Sequence, residues 1–350
     1  MKIEKDVLIS TLTTMRLGGP AKYVIKVESI DDIPAAFEFA AEHQLKTFIL
    51  GGGANTIGHD EGFNGAIIIN CIKGIEQTNS KLGQAPLSVS EEKESDCRSL
   101  HIMGGEVWDD VVAYTCERNL TGIEALSKIP GLAAAAPVQN IGAYGQEVAD
   151  TLESIEVYDT TDNTFKTLTK NDLKFSYRHS ILNTTDKGRY FVISITLALK
   201  QGQMSRPFYN SIERYIETNH STDFTPAGIR KIVSTIRGDK LPDPAEKASS
   251  GSFFKNIYLT ESEAKDAESK GYPVYHGHDG LKINSGWLIE EAGLKGKLLH
   301  GMRVSDKAAL VLINESAKSY QDLANARAEI IDTVYNKFGY KLEQEPVEIV

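Results

Sequence analysis

The stretch Ile129–Glu147 reads IPGLAAAAPVQNIGAYGQE, and it is the least ordinary part of this 350-residue chain. It is long, rich in Gly, Ala and Pro, and uncharged until its last residue. Small side chains let a backbone lie flat against a planar ligand or against another chain segment. Long irregular loops in compact domains are usually functional, so the stretch predicts a binding loop. A buried crossover between two sheets is the alternative interpretation.

Upstream of this stretch, the chain alternates between strand and helix patterns. YVIKV (Tyr23–Val27) predicts a strand, and Asp31 and Asp32 predict the cap of a helix. A second strand, KTFIL, leads directly into Gly51–Gly53, and AIIIN predicts a third strand. These patterns predict a β-α-β unit with a glycine loop at the end of its second strand. The polar, acidic residues from about Asn79 to Ser99 predict a surface loop or hairpin.

Downstream, strand patterns dominate before a final helix. Leu152–Asp159 and Tyr190–Leu199 alternate and are rich in β-branched residues, which predicts two strands. Ser319 and Asp322 form an S-x-x-D capping box, apolar residues then recur every three or four positions, and Gly339 ends the helix. The predicted fold class is therefore α+β, with mixed or antiparallel sheets after the opening β-α-β unit.

Composition excludes several classes of protein. Hydrophobic residues make up 41% and charged residues 25%, which is typical of a globular protein, and the net charge of -10 without a basic run argues against nucleic-acid binding. Cys71, Cys97 and Cys116 are too few and too poorly spaced for a disulfide scaffold or a thiolate metal site. There is no apolar signal-peptide region, and the apolar runs are too short to span a bilayer. We therefore expect a cytoplasmic protein without a metal, nucleic-acid or membrane partner.

The glycine loop LGGGANT (Leu50–Thr56) is a candidate diphosphate-binding site. Without Cβ atoms, its backbone N–H groups could approach a diphosphate closely. It lacks the Gly-Lys-Ser/Thr of a P-loop and the G-x-G-x-x-G of a dinucleotide fold. A plain tight turn is an equally good interpretation of the loop alone.

Three further segments contain side chains suited to catalysis. In FSYRHS, Tyr177 and Arg178 are expected at a strand end, where the arginine could stabilise an oxyanion or could simply be solvated. In SSGSFFKN, the Ser252 hydroxyl could donate a proton, although a lone serine is more often a helix cap or turn residue. The C-terminal residues Glu343 and Glu345 would share one face of a strand, but a solvated acidic tail is the default interpretation.

Taken together and in order, these segments resemble the MurB family, UDP-N-acetylenolpyruvoylglucosamine reductase, over essentially the full chain. The matching stretches are LGGPAKY, LGGGAN, DEGFNGAIII, APVQNIGAYGQEV, YRHS, KLPDP, SGSFFKN, SGWLIEEAGLKG, ALVLIN and LEQE. NIGAYG followed by GSFFKN is highly specific, and the chain length resembles the longer, type I branch.

The resemblance implies a PCMH-type FAD-binding module of two lobes, followed by an α+β substrate-binding domain. The module would span residues 1–205, with lobes of about 1–72 and 73–205 and FAD between them. The substrate-binding domain would span 206–350, and its last strand would return to the active site. We expect a monomer.

The resemblance also implies a reaction of peptidoglycan precursor synthesis. NADPH reduces FAD and leaves, and the enolpyruvyl ether of UDP-N-acetylglucosamine then enters the same site. Reduced flavin gives hydride to the terminal vinyl carbon, the adjacent enolate-like carbon takes a proton, and UDP-N-acetylmuramate forms. Such a reaction needs cationic or acidic groups near the substrate carboxylate. Another PCMH-type flavin oxidoreductase and a non-catalytic flavin or nucleotide-sugar binding protein are the alternatives.

Individual roles follow from the same resemblance. Ser252 matches the proton donor, and Arg178 and Glu345 match the pair that polarises the substrate carboxylate and stabilises the enolate. Tyr209 is the residue nearest in sequence to the position of the family's tyrosine that clamps the substrate. The substrate-contacting positions fall on Tyr144, Tyr177, Lys240 and Asn256. The flavin-binding positions fall on Gly51, Gly52, Gly53, Ala54, Asn55, Ile129, Pro130, Gly131, Gln139, Gly142, Ala143 and Gly145.

Two departures from the family pattern bear on these roles. The family usually has glycine where this chain reads LAAAA, and alanine is tolerable there only at negative φ. The family's C-terminal L-E-P-E-V-R is replaced by LEQEP, so Glu345 keeps its register but the following arginine is absent.

Overall fold

The computed structural model describes residues 1–78, 97–277 and 280–350. They form helices and mainly antiparallel sheets, which confirms the predicted α+β class. Most of the predicted loop at 79–99 lies outside the described residues, although Cys97–Met103 form a strand from its last residues onward. No helix in the described part of the chain is long and apolar enough to cross a membrane.

By packing, the chain divides into two compact units. The first unit comprises Met1–Ile3, Val24–Gly52 and Ala66–Arg237, and the second comprises Glu4–Tyr23, Gly53–Gly65 and Gly238–Val350. Residues 206–237 thus group with the first unit by packing. The domain boundary predicted at 205/206 stays a prediction.

The N-terminal strands form one sheet in the order β1-β2-β5-β3. The predicted helix α1 forms, but the N-cap residue Asp31 makes no capping bond; instead, the Asp32 carboxylate accepts hydrogen bonds from the N–H groups of Glu28 and Ser29, both at 3.0 Å. The three predicted strands are confirmed within β2, β3 and β5. The elements of this region are β1 (Lys2–Leu8), β2 (Pro20–Val27), α1 (Asp32–Glu42), β3 (Lys46–Leu50), β4 (Thr56–Gly58) and β5 (Phe63–Asn70).

An antiparallel sheet in the order β12-β11-β13-β7-β6 forms the largest core of the first unit, and β8 pairs with β13. Its apolar residues pack with α2 around Trp108, which is fully buried. The predicted strands at 152–159 and 190–199 are confirmed. The elements are β6 (Ile75–Thr78), β7 (Cys97–Met103), α2 (Trp108–Glu117), β8 (Leu120–Thr121), β9 (Gly142–Ala143), β10 (Gln146–Glu147), α3 (Val148–Thr151), β11 (Leu152–Asp159), β12 (Thr164–Thr169) and β13 (Tyr190–Gln201).

Two helices, α4 (Asn210–Asn219) and α5 (Pro226–Lys240), form a smaller core of the first unit. Ile212 and Ile216 of α4 pack with Ile229 and Val233 of α5 and with Ala125. Apolar residues at helical spacing therefore explain why this segment groups with the first unit.

The second unit contains a sheet in the order β14-β20-β19-β18, a smaller sheet in the order β15-β17-β16, and the pair β21-β4. Helix α8 packs on this core as predicted: Leu323, Ala326, Ile330 and Val334 are buried, Ser319 and Asp322 form the capping box, and Gly339 ends the helix at a φ of 77°. The elements are β14 (Ser249–Ser252), β15 (Ile257–Leu259), α6 (Glu261–Ser269), β16 (Tyr275–Gly277), β17 (Gly280–Ile283), α7 (Ser285–Glu291), β18 (Leu298–Leu299), β19 (Met302–Val304), β20 (Val311–Asn314), α8 (Tyr320–Phe338) and β21 (Val347–Ile349).

Candidate active site

Two of the predicted flavin-binding segments lie against each other in the first unit. A Cβ atom at Gly52 would lie 2.8 Å from the Cα of Gly131, and one at Gly51 would lie 2.9 Å from the Cβ of Ala135. Both separations are shorter than ordinary van der Waals contact, so a side chain at Gly51 or Gly52 would clash. The two backbone segments approach this closely only because these two positions are glycine. Gly131 has a φ of 132° and open space beside it. The glycine loop is therefore more than a tight turn, because it forms one surface with the second segment.

The alanine run after Gly131 is compatible with its backbone. Ala133–Ala135 form a single 3₁₀ turn, and none of the four alanines has a positive φ. The Ala134 N–H donates to the Gly104 carbonyl at 3.0 Å. Alanine therefore replaces glycine here without backbone strain. Most of Ile129–Glu147 is half-exposed, so its interpretation as a buried crossover is wrong.

The same segment ends in a tight hairpin between β9 and β10. Tyr144 and Gly145 form its turn with φ values of 49° and 84°. Two successive positive φ angles indicate a type I′ turn, where Asn-Gly is usual. Placing a tyrosine there costs about 1–2 kcal/mol, a kind of strain that clusters at functional sites. The Tyr144 ring meets Tyr209 edge-on at 5.8 Å between centroids, and burial raises the pKa of Tyr144.

Arg178 is folded back onto this segment. Ser176 and His179 pair across a tight turn in which Arg178 has a φ of 58°. Its guanidinium donates to the carbonyls of Asn140 at 3.2 Å and Gly142 at 2.8 Å. A Cβ at Gly142 would lie 3.1 Å from Nη1 of Arg178, so glycine leaves room for the guanidinium. The interpretation of Arg178 as a solvated arginine at a strand end is wrong, because the residue lies in a turn and is half-buried.

Asn140, which is not among the predicted site residues, links the two segments. It is buried, and its amide group donates to the Glu147 carboxylate at 2.8 Å and to the Ser176 carbonyl at 3.4 Å. Its side-chain oxygen accepts from the Ala149 N–H at 3.1 Å. Its φ of 44° was not evident from the sequence, although asparagine is the residue that tolerates such angles best after glycine.

Arg237 of α5 is a second residue that sequence reasoning missed. Its Nη2 donates to the Lys128 carbonyl at 3.3 Å, whereas its Nε is buried without a hydrogen-bond partner among the described residues. Burial lowers the pKa of Arg237, and the nearby Tyr144 hydroxyl partly offsets that effect. Arg237 is half-buried as a whole, and a buried N–H without a hydrogen-bond partner is costly unless an anion or acceptor binds it. The sequence offered one signal for Arg237: it lies three residues before Lys240, which is a predicted substrate-contacting residue.

Most other predicted residues of the first unit lie on the same loops. The Arg178 guanidinium carbon lies 4.9 Å from the centroid of the Tyr177 ring. Pro130 is exposed, and Gln139 is half-buried. Ile129 and Ala143 pack against the main core of the unit.

In the second unit, Ser252 and Glu345 lie on neighbouring backbone segments. Ser252 is the last residue of β14, and the N–H of Glu345 donates to the carbonyl of the next residue, Phe253, at 2.9 Å. Gly251 has a φ of 72° with open space around the position of a Cβ. Ser252 is in a strand, so its interpretation as a helix cap or turn residue is wrong. Two residues matched to catalytic roles are thus brought together.

The C-terminal residues are paired with the rest of the second unit. Strand β21 lies parallel to β4, and the Val347 N–H donates to the Asn55 carbonyl at 2.9 Å. The Asn55 amide group donates to the Glu345 carbonyl at 3.5 Å. Leu342 and Ile349 are buried. The interpretation as a solvated acidic tail is therefore wrong, and the last residue of the LGGGAN motif contacts the predicted catalytic glutamate.

The end of the glycine loop is also tied to β14. Gly53 has a φ of 67°, and a Cβ there would overlap the Leu12 carbonyl oxygen. The Thr14 N–H donates to the Gly53 carbonyl at 3.1 Å, and the Ser249 N–H donates to the Thr14 carbonyl at 3.0 Å. Backbone hydrogen bonds thus connect Gly53, next to Ala54, with the strand that ends at Ser252.

Asn256 and Lys240 also belong to the second unit. The Asn256 side-chain oxygen accepts from the Ser285 N–H at 3.2 Å, and the Ser285 hydroxyl donates to the Lys255 carbonyl at 2.5 Å. These bonds hold the start of α7, which lies in the SGWLIEEAGLKG stretch. Lys240 is exposed at the end of α5.

Comparison with known proteins gives two family matches. Residues 21–168 match the FAD binding domain model, and residues 243–349 match the model for the C-terminal domain of UDP-N-acetylenolpyruvoylglucosamine reductase. The reductase of Ralstonia nicotianae is 34% identical over 343 residues, which cover 96% of each chain. The chain belongs to the UDP-N-acetylenolpyruvoylglucosamine reductase family. The corresponding protein of Flavobacterium johnsoniae is 32% identical over 351 residues, 99% of each chain.

A solved structure of a family member independently confirms the fold of this chain. The crystal structure of the Thermus caldophilus family member (MurB) superposes with a TM-score of 0.66 at 22% identity and covers 99% of both chains. The family models and the relatives confirm the resemblance stated from the sequence. Membership makes the chain a flavin-dependent oxidoreductase with an FAD-binding domain.

Proposed function

We propose that this enzyme reduces the enolpyruvyl ether of UDP-N-acetylglucosamine to UDP-N-acetylmuramate at the expense of NADPH, a step of peptidoglycan precursor synthesis. The observation that carries the proposal is the backbone pairing that places Glu345 beside the strand ending at Ser252. A binding protein has no need to place two residues matched to catalytic roles on neighbouring backbone segments. Family membership supplies the identity of the substrate.

The residues present in the first unit fit FAD. Gly51 and Gly52 lie too close to Gly131 and Ala135 for any side chain, and the open space beside Gly131 leaves a flat backbone surface for a planar ring. The incompletely paired Arg237 offers a positive charge. We propose that the flavin is held by Gly51, Gly52, Gly53, Ala54, Asn55, Ile129, Pro130, Gly131, Gln139, Gly142, Ala143 and Gly145. When bound, FAD supplies hydride-transfer chemistry.

Three side chains of this chain would handle charge and protons on the substrate. Ser252 donates the proton to the enolate-like carbon from its hydroxyl. Arg178 and Glu345 polarise the substrate carboxylate and stabilise the developing enolate. The two carbonyls that accept from the Arg178 guanidinium fix the plane of that group, so the cation is preorganised. Tyr144, Tyr177, Lys240 and Asn256 contact the substrate, and Lys240 suits an anionic group.

We also propose that the flavin-binding function lies in residues 1–205, with lobes of about 1–72 and 73–205, and that residues 206–350 bind the substrate. Matches of the FAD binding model to 21–168 and of the C-terminal model to 243–349 support this division. The enzyme acts as a monomer in the cytoplasm, where UDP-sugars and NADPH are available. Light scattering of the purified protein would test whether it is monomeric.

The deciding experiment follows the visible spectrum of the purified protein under anaerobic conditions. We expect a yellow protein that bleaches with NADPH and recolours when the enolpyruvyl ether is added. A protein that bleaches but does not recolour would favour another PCMH-type flavin oxidoreductase. A protein that stays colourless with added FAD would overturn the reductase proposal.

A further inference from the structure

A cluster of five side chains holds the C-terminal segment of the second unit. Glu348 of β21 accepts a hydrogen bond from Nη1 of Arg327 at 2.5 Å and from Nε2 of His59 at 2.9 Å. Nη1 of Arg327 also donates to the Gln344 side-chain oxygen at 2.5 Å, and its Nη2 donates to the Tyr320 hydroxyl at 3.2 Å. We call His59, Tyr320, Arg327, Gln344 and Glu348 the C-terminal clamp.

The clamp is compact and connects three parts of the second unit. His59 follows β4, Arg327 is on α8, and Glu348 is in β21. The rings of His59 and Tyr320 stack with 3.6 Å between centroids, and the Tyr320 N–H donates to the Asp60 carboxylate at 2.7 Å. The side chains of Arg327 and Glu348 are only 23% and 24% exposed, so their ion pair is less screened by solvent than a surface pair.

Backbone bonds to Phe253 and Asn55 also hold this segment, and the clamp adds side-chain bonds on either side of Glu345. Strand β21 has three residues, and short terminal strands fray unless they are tied down. Glu345 lies between the two clamp residues of this segment, Gln344 and Glu348. The Gln344 amide group also donates to the Pro346 carbonyl at 2.8 Å, which shapes the turn directly after Glu345.

We propose that the C-terminal clamp positions Glu345, and that Arg327 and Glu348 are positioning residues for the reduction of the enol ether. This inference rests on the role of Glu345 in the proposed function. The clamp residues do not touch the reacting atoms in this proposal; they act by fixing the backbone on both sides of Glu345. The ion pair between Arg327 of α8 and Glu348 of β21 supplies this constraint.

The expected effect follows from the sensitivity of catalysis to geometry. Misplacing a catalytic group by about 1 Å can lower the rate about 100-fold. Without Arg327, the carboxylate of Glu348 and the amide of Gln344 lose their shared donor, and the backbone at Glu345 gains freedom. We expect kcat to fall about 10- to 100-fold, with a much smaller change in KM for the enol ether.

The test compares Arg327→Met, Glu348→Gln and the double variant with Arg303→Met as a matched control. Arg303 pairs with Glu315 in the same unit but does not contact the clamp. In stopped flow, bleaching by NADPH should stay near the wild-type rate in all variants, whereas recolouring by the enol ether should slow in the clamp variants alone. The double variant should be no slower than the slower single variant, because both remove one interaction. Arg327→Lys keeps the positive charge but not the branched guanidinium, so its kcat should lie between those of Arg327→Met and wild type.

Backbone amide exchange gives an independent readout. The N–H groups of Glu345 and Val347 should exchange faster in Arg327→Met, whereas exchange in Arg303→Met should match wild type. A fall in thermal stability with unchanged kcat and exchange, or an effect on KM alone, would overturn the inference. If wild-type enzyme fails to reduce the enol ether, the proposed function fails, and exchange at these two amides still decides whether the clamp fixes the segment.

Discussion

Replacing Gly52 by alanine tests whether the close approach of two loops in the first unit holds the flavin. A Cβ there would lie 2.8 Å from the Cα of Gly131, whereas ordinary contact begins at 3.4 Å, so one backbone must move by about 0.6 Å. Because the partner atom is backbone, no change of rotamer relieves the overlap. Inserting a methyl group into such a packed site costs about 1–3 kcal/mol.

The cost should appear as lost cofactor affinity. We expect the loops of the free variant to separate and so relieve the overlap, whereas flavin binding requires them to return to their native spacing. At about 1.4 kcal/mol per factor of ten, the Kd for FAD should rise about 5- to 150-fold. Titration of apoprotein with FAD, followed by flavin fluorescence, measures this change. Gly238→Ala is the control, because nothing lies within 4 Å of a Cβ at that position in α5.

Two results would refute the reasoning. Wild-type affinity together with an unchanged free energy of unfolding would mean that the loops tolerate the methyl group and do not need their close spacing. A lower free energy of unfolding with unchanged affinity would mean that the contact stabilises the first unit without serving the flavin. Urea denaturation of the apoprotein separates the two cases.

Three further predictions concern the second half-reaction and the C-terminal segment. Ser252→Ala should leave bleaching by NADPH within about twofold of wild type but slow enol-ether reduction at least about 100-fold; equal loss of both half-reactions in stopped flow would count against a proton-donor role. Arg178→Lys should slow enol-ether reduction about 100- to 1,000-fold, because an ammonium cannot donate to the carbonyls of Asn140 and Gly142 in the same fork, and steady-state kinetics with near-normal kcat would contradict this. Burial alone would raise the pKa of Glu348, but hydrogen bonds from clamp side chains outweigh it and lower the pKa from 4.5 to about 2. The carboxylate therefore stabilises the fold above about pH 4.5, and this contribution is lost as the pH falls towards 2. The difference in unfolding free energy between wild type and Glu348→Gln should be at most about 3 kcal/mol at neutral pH and should shrink across that window; a constant difference would be the contrary result.

Local signals predicted the regular elements well. The S-x-x-D box and Gly339 define both ends of α8 because capping depends on residues adjacent in sequence. Asp31 and Asp32 were harder to assign, because either side chain could reach the first turn of α1 and only the folded backbone decides between them. The acidic C-terminal residues suggested a solvated tail because the pairing of β21 with β4 joins positions about 290 residues apart, which no local pattern reports.

The candidate site was predicted mostly through resemblance. Arg178 in isolation suggested a solvated residue, because the carbonyls that hold its guanidinium come from the NIGAYG segment almost 40 positions upstream. Arg237 was missed because its burial depends on tertiary packing. Only the φ angles in the structure show that alanine fits the positions where the family usually has glycine. Residue type determines which φ angles are allowed, but not which of them the backbone adopts.

The second unit is assembled from three separate pieces of chain, and this has a consequence for biosynthesis. Met15, Leu17 and Ile57 pack in one core with Phe253, Leu288 and Leu323, which leave the ribosome much later. At about 5–20 residues per second, the early pieces must wait tens of seconds for their partners. During that interval their apolar side chains are available to chaperones. A fragment beginning at Gly238 would lack part of its own interior, so the unit cannot be produced simply by cutting the chain there.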